Sequence, residues 1–272
     1  MMSWQPTRRA VVAGGITAAL PFARRRANAE ADIWPQLAAD LFKDRPLADG
    51  SSRLALEMPV RAEDAAVVPL TVRLTAAGQR VKALTLVIDG NPAPVAASFE
   101  LGSTAGVTGI STRVRVNSYT DVHAVAELEN GELYAVQTFV KASGGCSAPM
   151  LNVASEGDAA VGQMRFKLFA QPSMPVEPTQ REAALMIRHP NNSGLQMDPL
   201  THLYIPAYFV RELKIWQGSD LVLAMTGGIS LSQNPQLRFT YRPNGAAMFR
   251  AQAVDTKEQI FSGEWPAAGS QS

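Results

Sequence analysis

Cysteine is almost absent from this chain: 272 residues contain one, Cys146. That excludes an intramolecular disulfide, a multi-cysteine metal cage and a Cys-x-x-Cys-His haem attachment. Charge is sparse as well. Charged residues make up 18% of the chain and the formal net charge is +1, so nothing in the balance points to nucleic acid or to an anionic membrane surface. No run after the N-terminal region is apolar enough for a membrane span, where roughly twenty residues are needed, so no membrane insertion is expected. Ser143, Ser147 and three histidines are present, but no Gly-x-Ser-x-Gly elbow accompanies them, so a serine hydrolase has no local signature.

The N-terminus carries an address. Arg8-Arg9 precede a mild apolar stretch ending near Phe22; Arg24-Arg25-Arg26 follow, then Ala27-Asn28-Ala29, a small-x-small site suited to a signal peptidase. Weak apolarity behind paired arginines predicts a twin-arginine-type signal over 1–29 and a periplasmic location, with a Sec signal and a fortuitous arginine pair as the alternative. The mature chain of about 240 residues is long enough for one large domain or two ordinary ones. In an oxidising compartment it is stabilised by its cores alone, and a free thiol there needs a reason.

Ile33, Trp34, Leu37 and Leu41-Phe42 recur at helical spacing, which predicts a short amphipathic helix at the start of the mature chain. The period then switches to two. Leu54–Met58, Val68–Leu74, Val81–Ile88, Ala97–Leu101, Ile110–Val116, Val122–Leu128 and Leu133–Val140 read as strands, with turns at Asp89-Gly90-Asn91-Pro92 and Asn130-Gly131. Residues 143–162 are rich in small and polar groups and read as a linker. Strand candidates resume at Met164–Phe169, Ala183–Arg188, Phe209–Trp216, Leu221–Met225, Leu237–Tyr241, Ala247–Val254 and Gln259–Trp265. The expected fold is all-β: two immunoglobulin-like antiparallel β-sandwiches, over 30–142 and 163–268, joined by a flexible linker that bears the cysteine. His189 to Ala207, broken by Pro190, Pro199 and Pro206, is a long loop.

Cys146 follows Gly144-Gly145 and precedes Ser147. Read locally, glycine flanks leave the sulfur without neighbours, so the expectation is a reactive thiol presented on a mobile arm of Gly144, Gly145 and Ser147. Lys141 is the nearest cation in sequence, and no acid or histidine adjoins the cysteine as a base. His189, Met197 and His202 share a loop and are of copper-binding types, but a metal site is not the favoured reading. No metal and no cofactor is expected.

The whole order resembles the sulfur-oxidation carrier pair SoxY and SoxZ fused into one chain, and more narrowly the fused carriers associated with quinoprotein dehydrogenases. The part ending in Gly144-Gly145-Cys146 is similar to SoxY, whose glycine-flanked terminal cysteine carries sulfur intermediates. Met186-Ile187-Arg188-His189-Pro190 with Ser193-Gly194, Ile205-Pro206-Ala207-Tyr208-Phe209-Val210, and Ser232-Gln233-Asn234-Pro235 resemble three SoxZ segments in the same order. The resemblance implies a carrier rather than an enzyme. Cys146 would hold a sulfur-containing intermediate and show it to periplasmic sulfur-oxidation enzymes, or to a quinoprotein dehydrogenase and a c-type cytochrome. One departure is that the chain continues through Ser147-Ala148-Pro149. The arm is therefore tethered at both ends, and about sixteen residues doubled back reach at most about 25 Å. The alternative function is a non-covalent docking module for such a dehydrogenase or cytochrome.

Overall fold

A computed structural model describes Met1 and residues 32–267, apart from 76–79, 150–160, 175, 176 and 178. The expected signal segment and much of the linker lie outside the described residues. One helix, α1 (Trp34–Phe42), precedes fifteen strands. The first half holds β1 (Leu47–Asp49), β2 (Leu54–Glu57), β3 (Val68–Leu74), β4 (Val81–Ile88), β5 (Val95–Leu101), β6 (Gly109–Val114), β7 (Thr120–Leu128) and β8 (Leu133–Val140). The second holds β9 (Met164–Phe169), β10 (Arg181–Ile187), β11 (Val210–Gln217), β12 (Asp220–Gly227), β13 (Gln236–Tyr241), β14 (Met248–Asp255) and β15 (Ile260–Pro266). The all-β class, the opening helix and the antiparallel sandwiches are as the sequence predicts. One strand was not foreseen: β1 has three residues, too few to show a period, and pairs in parallel with β8.

The alternation that marks the strands also builds the core. Val68, Leu70, Val72 and Leu74 of β3 point inward, as do Leu84, Leu86 and Ile88 of β4 and Leu237, Phe239 and Tyr241 of β13. Successive side chains leave opposite faces of a strand, so one face of each becomes apolar and must be covered by the other sheet.

The two halves do not stand apart. One sheet runs β1-β8-β7-β4-β5-β12-β11-β14-β15 and the other β2-β3-β6-β13-β10-β9. Both cross from one half to the other, through β5 with β12 and β6 with β13. A single apolar cluster extends from Leu54 to Ala253 across that junction. At the seam Gly102 admits no side chain, because a Cβ there would overlap the Leu221 carbonyl oxygen. Leu213 and Ile215, whose β11 pairs next to the seam strand, are buried in this joint core, while Trp216 turns outward beneath the Arg250 guanidinium.

α1 lies against the first half. Trp34 stacks on His123 with ring centroids 3.6 Å apart, and the buried His123 faces Asp89 at 3.1 Å. No helix among the described residues is long and apolar enough to cross a membrane.

Candidate functional site

The chain leaves β8 through Ala142, which is buried, and enters a tight turn over Gly144–Ser147. Backbone hydrogen bonds fix this turn to the end of the β6 region. Gly144 N donates to Asn117 O at 2.9 Å and Gly145 N to Val116 O at 3.0 Å. Ser147 N closes it on Gly144 O at 3.2 Å. Each glycine has a geometric reason. Gly144 has φ +77°, in the left-handed region that side chains disfavour. Gly145 packs so closely that a Cβ would overlap Ala65 O and fall 2.6 Å from Val116 O.

Cys146 is consequently fully buried, at 0% exposure. This corrects the expectation of an exposed thiol on a loose tether. The glycine pair permits a close approach that draws the sulfur inward, so Gly145 and Cys146 are buried while Ser143, Ser147 and Pro149 stay exposed. Among the four residues of the expected site, Gly145 and Cys146 are buried, Gly144 is half-buried and Ser147 is exposed, its hydroxyl bonded to Gly144 O at 3.2 Å. Burial pushes the Cys146 thiol upward; the positive charge of Arg115 acts in the opposite direction but more weakly.

Arg115 is the cation beside the cysteine, and sequence reasoning missed it. Val114 and Val116 face the core, so alternation places Arg113 and Arg115 on the solvent side of the strand. The second half covers that side. Arg115 is 2% exposed, the largest of the fully buried side chains. Its Nη1 donates to Gly145 O and its Nη2 to Asn191 O, each at 3.2 Å, while Nε is buried without a partner. Among the described residues it forms no ion pair. Lys141, the nearest cation in sequence, instead pairs its backbone with 60–62.

The second half closes over the turn with polar groups. Ser193 Oγ donates to Cys146 O, and Gln196 Nε2 donates to Ala148 O at 3.3 Å. Gln196 Oε1 in turn accepts from Ser193 N at 2.9 Å. His189 shapes this loop from within. Its Nδ1 accepts from Asn191 N at 3.1 Å, and its backbone exchanges hydrogen bonds with Asn234, whose Oδ1 accepts from His189 N at 3.0 Å. Burial lowers its proton affinity despite Asp255 at 3.6 Å, so it is held neutral. Asn234 O accepts from Arg113 Nη2, and Ser232 Oγ donates to Ala66 O at 2.7 Å. The sequence segments 186–194 and 232–235 therefore meet the first half around the cysteine turn. His189 is interior, whereas Met197 and His202 are exposed, so these three do not converge.

Comparison with known proteins agrees with this layout. Residues 38–146 match the sulfur oxidation protein SoxY family, a match that ends on Cys146, and residues 176–266 match the sulphur oxidation protein SoxZ family. Among solved structures, the sulfur carrier protein SoxY from Chlorobium limicola f thiosulfatophilum is 24% identical over 39% of this chain and 93% of its own, with a TM-score of 0.33. A superoxide reductase (neelaredoxin) from Ignicoccus hospitalis is 11% identical over 39% of this chain and 90% of its own, with a TM-score of 0.30. No curated protein matches the chain. With a SoxY domain leading into Gly144-Gly145-Cys146 and a SoxZ domain closing over it, the chain belongs to the SoxY and SoxZ families as a fused SoxYZ-like protein.

Proposed function

We propose that the chain is a periplasmic carrier in sulfur oxidation that holds a sulfur-containing group covalently on Cys146 and acts with partner enzymes rather than as a catalyst. The observation that supports this most is the position of Cys146. It is the last residue of the SoxY match, and it stands outside the apolar cluster, in a turn held by hydrogen bonds. The described conformation is then a closed state that shields the sulfur, and exchange with a partner requires the turn to open. The side chains that reach over it from the second half, Ser193 and Gln196, hold it by polar contacts, and these are exchangeable with water.

Loading by thiosulfate forms an S–S bond between Cys146 Sγ and the outer sulfur of the dianion. One proton and two electrons leave, and an electron acceptor such as a c-type cytochrome takes the electrons. Leu200, Leu203 and Tyr204, exposed by 89%, 68% and 66%, lie on the loop that supplies Ser193 and Gln196. A sulfur-oxidation enzyme, or a quinoprotein dehydrogenase, seated there displaces the latch and frees the thiol. Export by the twin-arginine route completes the reading, since it delivers a folded closed carrier to the periplasm.

The experiment is intact-mass analysis of protein taken from its native periplasm, paired with a Cys146→Ala strain. The expected result is a reducible, sulfur-containing mass increment that varies with sulfur supply, together with loss of the sulfur-dependent phenotype in the variant. Full burial of the thiol favours the second reading, a docking module. An unmodified native mass with an unimpaired Cys146→Ala strain establishes that reading instead.

A further inference from the structure

A guanidinium buried without a carboxylate is costly unless an anion arrives to pair with it. Arg115 is in that position. Its side chain is 2% exposed, two of its five donors reach neutral carbonyls, and Nε has no partner. One of those carbonyls belongs to Gly145, so the charge lies beside the residue that carries the sulfur. The other belongs to Asn191 of the second half, whose φ of +47° holds its backbone in the left-handed region. The strand before Arg115 and the loop after it are both fixed: Arg115 N donates to Ser230 O at 2.7 Å, and Arg115 O accepts from Asn91 Nδ2 at 2.7 Å. The backbone of Arg115 is thus placed by groups that do not depend on the cysteine.

We propose that Arg115 is the anion-binding residue of the closed carrier, pairing with the negative charge of an anionic sulfur group attached to Cys146. The inference rests on the covalent-carrier reading and adds to it a selectivity: the closed state accepts an anionic adduct and discriminates against a neutral one of equal size. A planar fork of donors suits the oxygens of a sulfonate or carboxylate, which accept two hydrogen bonds in parallel. Asp64 also acts electrostatically on Arg115, but its Oδ1 is taken by Ala66 N at 2.8 Å and it makes no ion pair with the guanidinium.

The test uses a size-matched pair of adducts on the full chain. Iodoacetate and iodoacetamide each give a thioether on Cys146: the thiolate attacks carbon, the C–I bond breaks and iodide leaves with its electron pair. The products differ only as carboxylate and amide. In the unsubstituted protein the carboxymethyl form is expected to melt at or above its amide twin. In Arg115→Met the order reverses by about 5 °C or more, and Arg115→Lys restores part of the preference. Equal differences in all three proteins overturn the inference. Should Arg115→Met not fold, the unsubstituted pair decides: a carboxymethyl form melting about 5 °C or more below its twin overturns it. Failure of the carrier reading is seen separately, in an unmodified native mass and an unimpaired Cys146→Ala strain.

Discussion

The second half meets the first along the β5–β12 and β6–β13 seams and again over the cysteine turn, and the two contacts differ in chemistry. Along the seams, backbone ladders join strands from Ala97 with Gly227 to Leu101 with Leu223, and Phe239 sits opposite Ile110 at 0% exposure. Over the turn, no ladder forms among the described residues; Ser193 and Gln196 hold carbonyl oxygens of the first half, and Arg115 holds that of Asn191. Apolar burial on the seams is lost all at once or not at all, because separating the strands exposes the whole face. A few hydrogen bonds to carbonyls exchange with water at a net cost near 1 kcal/mol each. On the proposed reading, the carrier is rigid where its halves join and yields where its thiol is kept.

The largest effect is expected at the seam. Phe239→Ala removes a fully buried ring from the joint core and should cost about 3–5 kcal/mol, read by denaturant unfolding as a lower midpoint with an unchanged slope. A cost near 1 kcal/mol would mean that the halves do not share one core. Next comes the latch. Ser193→Ala removes the donor to Cys146 O, and about 1 kcal/mol of lost closure raises the open population about fivefold. Alkylation of Cys146 should accelerate by a similar factor while the melting temperature falls by at most about 4 °C. An unchanged alkylation rate would show that the thiol is reached by another route.

The smallest effect is a pH dependence. Because burial raises the Cys146 thiol above its ordinary value of 9.0, the folded protein keeps that proton more tightly than the unfolded chain. The associated stability is complete below pH 9.0 and is lost as pH rises through the raised value. Relative to Cys146→Ala, the unsubstituted protein should therefore lose stability on the alkaline side. Parallel stability profiles for the two proteins would place the thiol in water rather than in the interior.

Strand positions were legible because each strand carries its own local pattern. Val68–Leu74 alternates so regularly that hydropathy alone locates it, Val81–Ile88 is a run of mostly β-branched and apolar residues, and turn residues such as Asn130-Gly131 mark where strands reverse. The three residues of β1 carry no period, and their pairing with β8 is set by the neighbour rather than by their own pattern. The identity of Cys146 as the residue of interest was also legible, from its singularity and its glycine pair. Its environment was not. Glycine signifies both freedom and close approach, and only the position of Ala65 O and Val116 O decides between them at Gly145.

Composition and periodicity are local properties, so the chain by itself determined the all-β class, the bounds of most strands, the lone thiol and the absence of a disulfide. Which sheet edges meet is a property of distant segments, and only the tertiary structure joined β5 to β12 and β6 to β13. The same holds at the site. Arg115 stands 31 positions from Cys146 in the chain, on the strand face that alternation assigns to solvent, until residues 189–196 of the second half cover it. Burial there is decided by what folds over a residue, and no pattern within a single strand records that.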